Sequence, residues 1–296
     1  MKQFDAVRQF SGAFFLRMMG NMYVFMSVLF AVCVVQEASG AQNSPIRVRK
    51  DGSNDQPVFY VSSIYPGPVE VEFQMTKAVN VLSDPPLPAR FIIPDGQEVK
   101  TFALRAAHPG AVLSYAYKFV FTPGVPGAQH RPPGPYLPPF QKGLRFRIGN
   151  GFSPESFQNN PYNAYSVSIL MPPGTQVCAA RSGILTEIGE QSFRRQTAEG
   201  ITEEKSVLIR ILHDDGTMSV YTHLQPGSIP FSPGTRISQG QVIAVLGNFT
   251  LSGASSLIFI IQKNEGMRLV SVPFEFAECG GKKVIPVRGM VLTAGH

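Results

Sequence analysis

Histidine is the residue type in this chain best suited to metal binding or proton transfer at neutral pH. The 296 residues include five histidines, at widely separated positions: His108, His130, His213, His223 and His296. A metal site is usually marked by ligands at short spacings, such as two histidines on one turn of helix or in a His-x-His pair. No two of the five have such a spacing. The histidines by themselves therefore predict neither a metal site nor a catalytic pair.

Other reactive patterns are also missing from the sequence. There is no Gly-Lys-Ser phosphate loop, no Gly-x-Ser-x-Gly nucleophile motif and no Cys-x-x-Cys pair. Asp214 and Asp215 lie between His213 and a glycine, so we predict solvated carboxylates in a hairpin turn. In an oxidising compartment Cys178 and Cys279 could form a disulfide, and two buried free thiols are the alternative.

The N-terminal segment, 1–41, has the pattern of a secretory signal peptide. Lys2, Arg8 and Arg17 precede an apolar run at 22–35, and small residues follow it at 38–41. This run is shorter than the ~20 residues of a membrane-spanning helix, which favours cleavage; an uncleaved anchor is the alternative. We expect export to the periplasm or cell envelope, with membrane contact only through this segment before cleavage.

The charge of the remaining chain is mildly positive. Loss of three basic and two acidic residues with the leader leaves 23 Lys and Arg against 18 Asp and Glu, a net charge of +5. Because the chain has no Lys/Arg block, we expect no nucleic-acid partner. A modest positive charge suits a protein that works near an anionic wall surface.

Apolar and polar residues alternate along many short segments, which predicts a mainly β protein. Residues 69–75 and 114–121 alternate in this way, so 45–122 are predicted to form a β-sandwich-like module. Six prolines between Gly124 and Gly143 predict a linker at 123–143. Alternation resumes at Leu144 and predicts a second β-rich domain, 144–276, followed by a C-terminal tail, 277–296.

Four sequence blocks follow one another in the second domain. Residues 172–184 contain Pro-Pro-Gly-Thr-Gln-Val and a later glycine, 213–216 are His-Asp-Asp-Gly, 221–224 are Tyr-Thr-His-Leu, and 234–248 repeat the Gly-Thr-x-apolar pattern. In this order and at these separations, within the stretch 146–276, they resemble the lysostaphin-type, or LytM-like, zinc endopeptidases. The resemblance implies the duplicated hybrid motif fold for residues 144–276.

The resemblance also implies a zinc site, whose ligands are a His and an Asp before the first block and the second His of a late His-x-His. The Asp position falls on Ser168, and the first His position falls near Gln158 or Ala164. The His-x-His falls on Ser256 and Ile258. Since serine, glutamine and isoleucine cannot replace two imidazoles and a carboxylate, we predict that zinc, the expected cofactor, is absent.

His223 alone corresponds to a catalytic residue of the resembled family. Without zinc to activate water, we expect it to be a relic, hydrogen-bonded at the end of a strand. Tyr221, Arg181 and Arg236 are predicted to line the former substrate groove, where the arginines could hold an anionic stem peptide by charge-assisted hydrogen bonds.

These observations predict an exported, catalytically inactive, peptidase-like cell-wall protein that binds peptidoglycan or regulates a wall hydrolase. One alternative is an active zinc endopeptidase that cleaves peptidoglycan peptides with ligands recruited from elsewhere, such as His130 or His296. A second alternative is an envelope structural factor, whose two β domains serve as protein-interaction surfaces.

Overall fold

The chain is mainly β, as the alternation of its residues predicts. The computed structural model describes residues 44–197, 200–249 and 255–295, without the side chains of 193–204 and 279. The predicted signal peptide, 1–41, therefore lies outside the described residues. Within these ranges no helix is long and apolar enough to cross a membrane. The helices described are two single turns of 3-10 helix, Pro154–Ser156 and Cys279–Gly281.

The N-terminal strands form a sandwich-like module, which we call the front module. Its strands are β1 (Ile46–Ser53), β2 (Gln56–Ser63), β3 (Val69–Val79), β4 (Val81–Asp84), β5 (Ala89–Ile93), β6 (Glu98–Ala106) and β7 (Ser114–Pro123). They make two antiparallel sheets of order β1-β2-β6-β4 and β5-β3-β7. Between the sheets Phe102 stacks on Phe59, with ring centroids 4.4 Å apart, and contacts Phe73 at 5.1 Å. This aromatic cluster gives the front module a hydrophobic core of its own.

The second domain is built on one large antiparallel sheet. Its strands are β8 (Arg145–Asn150), β9 (Val167–Leu170), β10 (Gln176–Cys178), β11 (Gly183–Thr197), β12 (Gly200–Leu212), β13 (Met218–Leu224), β14 (Arg236–Ile237), β15 (Val242–Val245), β16 (Ser256–Asn264), β17 (Leu269–Ser271), β18 (Phe276–Ala277), β19 (Lys283–Val284) and β20 (Val291–Thr293). The large sheet has the order β14-β11-β12-β13-β16-β9-β8-β20, and β17 pairs with β16. Two short sheets, β10-β15 and β18-β19, complete the domain.

The large sheet has a core face and an outer face, because successive residues of a strand point to opposite sides. The core face packs into the second hydrophobic core through residues such as Ile148, Ile169, Leu257, Phe259 and Tyr221. The outer face carries the alternate residues, which are cross-strand neighbours of one another: Arg145 and Arg147 on β8, Ser168 and Leu170 on β9, Ser256, Ile258 and Ile260 on β16, and Val220 and Thr222 on β13.

The front module covers one end of this outer face. The Tyr65 hydroxyl donates a hydrogen bond to Thr186 Oγ1 at 2.9 Å. Gly67 has a φ of +122°, and a Cβ at this position would lie 2.7 Å from Leu212 Cδ2, so only glycine allows this approach. At the same end, Glu70 accepts a hydrogen bond from Asn264 Nδ2 at 2.9 Å. The other end of the outer face contains Thr222, Ile258 and Ser168.

The proline-rich segment and the C-terminal tail both pack on the second domain. Tyr136 and Phe140, in the segment predicted as a linker, are fully buried in the second core. In the tail, the amide of Gly289 donates to Ile148 O at 2.8 Å, and β20 pairs with β8. The tail therefore forms one edge of the large sheet.

Candidate functional site

Two of the predicted ligand positions lie directly opposite each other in the sheet. Ser168 on β9 pairs with Ile258 on β16, and Ile258 pairs on its other side with Thr222 on β13. Residues opposite each other in antiparallel strands have Cβ atoms about 5 Å apart and point to the same face. One step along β16, Ser256 is opposite Leu170. The structure thus brings together two of the three positions where the resemblance implies metal ligands.

His223 adjoins these positions at the end of β13. Its φ is +67°, in the left-handed region, so the regular alternation of the strand stops here. Nδ1 donates a hydrogen bond to the carbonyl of Ser256 at 2.8 Å, and the ring stacks on Phe249 with centroids 5.4 Å apart. Burial lowers the pKa of His223, while the hydrogen bond to Ser256 acts in the opposite direction. The imidazole is therefore neutral at pH 7, with its Nδ1 directed at the backbone.

The remaining predicted ligand position supplies no metal-binding group. Gln158 is exposed in the turn after the first 3-10 helix, and Ala164 is buried and carries only a methyl group. The site therefore offers two serine hydroxyls, an isoleucine side chain and one imidazole. Zinc in proteins prefers imidazole, thiolate and carboxylate, so these residues do not fit it. In the part of the chain that the structure describes, no three His, Cys, Asp or Glu side chains form a group that could hold a metal ion.

Tyr221 does not line a groove, contrary to the prediction. Its side chain is fully buried on the core face, and its hydroxyl accepts a hydrogen bond from the amide of Ala180 at 2.8 Å. Its ring contacts Phe259 at 5.0 Å, and burial raises the pKa of its hydroxyl. Tyr221 is a structural residue that ties the strand to the loop after β10.

Arg181 and Arg236 do share a cleft, but it lies away from His223. The cleft has a volume of about 560 Å³ and is also lined by the proline-rich segment and by His213. His213 lies in the turn that precedes β13, whereas His223 lies near the far end of that strand. The segment from Met218 to His223 spans about 17 Å at the rise of a β-strand. The two arginines and His223, which were predicted to share one groove, therefore lie in two separate parts of the domain.

Residues 162–269 match Peptidase family M23. The match contains all four sequence blocks in full, together with Ser168, His223, Ser256 and Ile258, whereas Gln158 lies outside it. The match therefore lies inside the second domain and covers 108 of the 296 residues. No curated protein matches the chain.

Several solved structures are similar to this chain. The catalytic domain of lysostaphin from Staphylococcus simulans is 26% identical, with 39% of this chain and 79% of that chain covered and a TM-score of 0.28. The M23 metalloprotease pseudoalterin, from the deep sea, is 15% identical, with coverages of 54% and 99% and a TM-score of 0.35. A putative M23 peptidase from Pseudomonas aeruginosa is 16% identical, with coverages of 77% and 86% and a TM-score of 0.30.

A buried ion pair borders the cleft that Arg181 and Arg236 share. Arg181 is buried and donates to Asp215 at 2.8 Å and to Asp214. Asp215 also accepts hydrogen bonds from the amide and hydroxyl of Thr217 at 3.0 and 2.6 Å. Burial alone would raise the pKa of Asp215, but the bonds from Thr217 and Arg181 lower it to about 2. The prediction of a solvated turn holds for Asp214, whose side chain is 79% exposed, and is wrong for Asp215, which is 9% exposed.

Two further histidines lie near this ion pair. His213 Nδ1 donates to Ser182 O at 2.8 Å, and burial lowers the pKa of His213 to about 4. His130 Nε2 lies 3.1 Å from the hydroxyl of Tyr136, which also accepts an N–H from Arg181 at 3.4 Å. His130 is therefore placed with Arg181 and not with the predicted ligand positions. His296, the other histidine considered for recruitment, lies outside the described residues.

Cys178 is a buried free thiol, and burial raises its pKa. The side chain of Cys279 is not among those described.

Proposed function

We propose that this protein is an exported, catalytically inactive M23 protein of the cell envelope that holds peptidoglycan peptides without cutting them. The observation that carries the proposal is the row Ser168, Ile258 and Thr222 on three neighbouring strands. The resemblance implies an aspartate and a histidine at the first two of these positions. Neither residue found there can coordinate zinc in their place.

The chemistry of the site supports the absence of catalysis. Hydrolysis of a peptide bond by this family depends on a metal that lowers the pKa of water from 15.7 to about 7. His223 is neutral and its Nδ1 is held by Ser256 O, so it supplies no positive charge for a developing oxyanion. His130, which would have to be recruited as a ligand, lies beside Tyr136. We therefore expect neither zinc nor endopeptidase activity.

The preserved fold supports retention as a binding protein. The strands that present the site keep their pairing, and the front module is fixed to the same sheet by hydrogen bonds from Tyr65 and to Glu70. A predicted signal peptide and a mildly basic mature chain suit work in the envelope near the wall. Regulation of a wall hydrolase is the second candidate, since a fixed two-module scaffold can also present a protein-binding surface.

Sedimentation with isolated peptidoglycan sacculi tests the proposal. We expect the purified full chain to sediment with sacculi and to release no soluble fragments, while an active M23 peptidase in parallel solubilises the same material. Absence of binding would overturn the peptidoglycan proposal. If the protein instead bound a purified wall amidase or endopeptidase and altered its rate, regulation of that hydrolase would take its place.

A further inference from the structure

The outer face beside the site continues onto β8 and the C-terminal tail. Arg147 on β8 is opposite Leu170, which is in turn opposite Ser256. In the adjacent row, Asn150 is opposite Ser168. Arg147 is thus a diagonal neighbour of Ser168, at the roughly 7–8 Å separation that long side chains can bridge.

The arginines of this surface alternate with core residues. Arg145 and Arg147 are exposed, whereas Ile148 and Leu292 are fully buried. Val291 is opposite Arg147, so β20 extends the same surface to the edge of the sheet. Arg145 and Arg147 therefore point to the side that carries Ser168 and Ser256.

The tail brings the backbone of a third arginine, Arg288, next to the end of β8. A Cβ on Gly151 would lie 3.1 Å from the amide nitrogen of Arg288, so the tail crosses directly over this glycine. Gly151 follows Asn150, the partner of Ser168. Arg288 is exposed.

Little negative charge balances these arginines. Residues 144–171 and 285–295 contain three arginines, no lysine and a single acidic residue, Glu155. Among the ion pairs between described residues, none involves Arg145, Arg147 or Arg288. Arg147 Nη1 donates a hydrogen bond to Gly289 O at 3.4 Å. All three arginines are exposed, so their guanidinium groups are accessible to a ligand.

We infer that Arg145, Arg147 and Arg288, which we call the arginine edge, bind a carboxylate of a peptide that lies along the outer face past Ser168 and Ser256. Guanidinium groups suit this ligand because two parallel N–H donors match the two oxygens of a carboxylate. The occupant is an acidic peptide, since the unbalanced charge of this surface is positive. The inference rests on the proposed function and names the ligand chemistry of the same face.

A charge-matched pair of variants tests the arginine edge. Arg145→Gln with Arg147→Gln removes two positive charges from it, and Arg47→Gln with Arg105→Gln removes two from exposed positions of the front module. Binding of a short glutamate-containing peptide and of its fully amidated counterpart is measured by calorimetry, alongside sedimentation with sacculi. Circular dichroism confirms that both variants are folded.

We expect the acidic peptide to bind the Arg145/Arg147 variant at least about tenfold more weakly than the unmodified protein, and the control variant within about twofold. The amidated peptide should bind the unmodified protein at least about tenfold more weakly than the acidic one. Equal binding by both variants, or by both peptides, would overturn the inference; sedimentation of all three proteins with sacculi would then leave the proposed function standing. If peptide binding depended on the arginines but the protein did not sediment with sacculi, the inference would stand and the proposed function would fail. Binding of neither ligand would refute both.

Discussion

The two ends of the outer sheet face differ in how their polar side chains are paired. At the end that the front module covers, buried polar groups are paired in detail. At the site end, the positions where the resemblance implies an aspartate and two histidines hold Ser168, Ile258 and Ser256. We infer from this contrast that the polar pairing under the front module stabilises the fold, whereas metal ligands are not needed for it.

Arg210 illustrates the covered end. Its guanidinium is buried and donates to Glu187 Oε2 at 2.9 Å and to Gln262 Oε1 at 2.7 Å. Gln262 extends this hydrogen-bond network, because its Nε2 donates to Tyr162 O at 3.2 Å. Burial alone would lower the pKa of Arg210, but the negative charge of Glu187 holds it above its ordinary value. A buried charge is tolerated only with such partners.

The site end has no buried charge and therefore no comparable desolvation cost. Ser168 and Ser256 are small and neutral, and Ile258 is half-buried beside them. Replacing a metal site by neutral side chains leaves no unpaired charge in the sheet. The side chains present at this end are therefore compatible with an intact fold.

The largest expected effect comes from breaking the Arg210 network. Arg210→Met removes a buried cation and leaves Gln262 Oε1 without its donor, so we expect the free energy of unfolding to fall by about 4 kcal/mol. Urea unfolding followed by circular dichroism measures this change. Arg236→Met, at an exposed position, serves as the control and should unfold at the urea concentration of the unmodified protein. A loss for Arg210→Met below about 1 kcal/mol would contradict the account of the covered end.

Protonation of His213, in the turn before β13, should lower the free energy of unfolding in mild acid. Its pKa is about 4 in the folded state against 6.5 for an ordinary histidine, so the unfolded state binds more protons between these values. Stability should fall as the pH drops from 6.5 to 4, by up to about 3 kcal/mol from this residue. Urea midpoints at several pH values measure the slope.

His213→Asn isolates this contribution, because the asparagine amide can still donate to Ser182 O. Burial also lowers the pKa values of His130 and His223, so the comparison is between the slopes of the two proteins. The variant should have the shallower slope. Identical slopes would show that His213 does not titrate as described.

Glu70 is expected to have the next largest effect. It accepts hydrogen bonds from Asn264 Nδ2 at 2.9 Å and from the amide of Met267 at 2.8 Å. Glu70→Ala leaves both donors under the front module without this acceptor, which should cost about 2 kcal/mol in urea unfolding. Glu98→Ala, which removes an exposed carboxylate paired with Arg49, should change the midpoint little. Comparable losses in both variants would mean that the contact with Glu70 does not hold the front module in place.

The last prediction concerns zinc affinity, and it restores two of the implied ligands at the site. Because Ser168 and Ile258 are cross-strand neighbours, Ser168→Asp with Ile258→His should place a carboxylate and an imidazole close enough to share one zinc ion. We expect this variant to bind zinc at least about tenfold more tightly than the unmodified protein in competition with a chromogenic chelator. Ser168→Asn with Ile258→Gln matches its size without the ligands and should behave as the unmodified protein. Unchanged zinc affinity in the Asp/His variant would mean that these positions do not converge on a metal-binding geometry.

Much of this arrangement could be predicted from local sequence patterns. Alternation identified the β architecture, and the four ordered blocks in residues 172–248 led to the M23 domain. The same blocks placed Ser168 and Ile258 at corresponding positions, and the structure puts them opposite each other. These predictions could be made because they need only the spacing of residues along the chain.

Long-range burial was not predictable in the same way. Tyr136 and Phe140 lie among six prolines, so their segment resembled a linker, yet both rings enter the second core. Asp215 was expected to be solvated because its neighbours form a turn, but Arg181, from the loop after β10, pairs with it and buries it. Tyr221 was assigned to a groove because it belongs to the block that contains His223, although strand alternation places it on the core face. For Tyr136, Phe140 and Asp215 the deciding partner is distant in sequence, whereas the position of Tyr221 follows from the alternation of its own strand.

Zinc content of the purified mature protein, measured by elemental mass spectrometry together with sacculus digestion, tests the central claim most directly. The account predicts far less than one zinc ion per chain and no soluble fragments released from sacculi. One tightly held zinc ion per chain with solubilised wall peptides would contradict it, and would show that an active site has been assembled from ligands outside the row of Ser168 and Ile258.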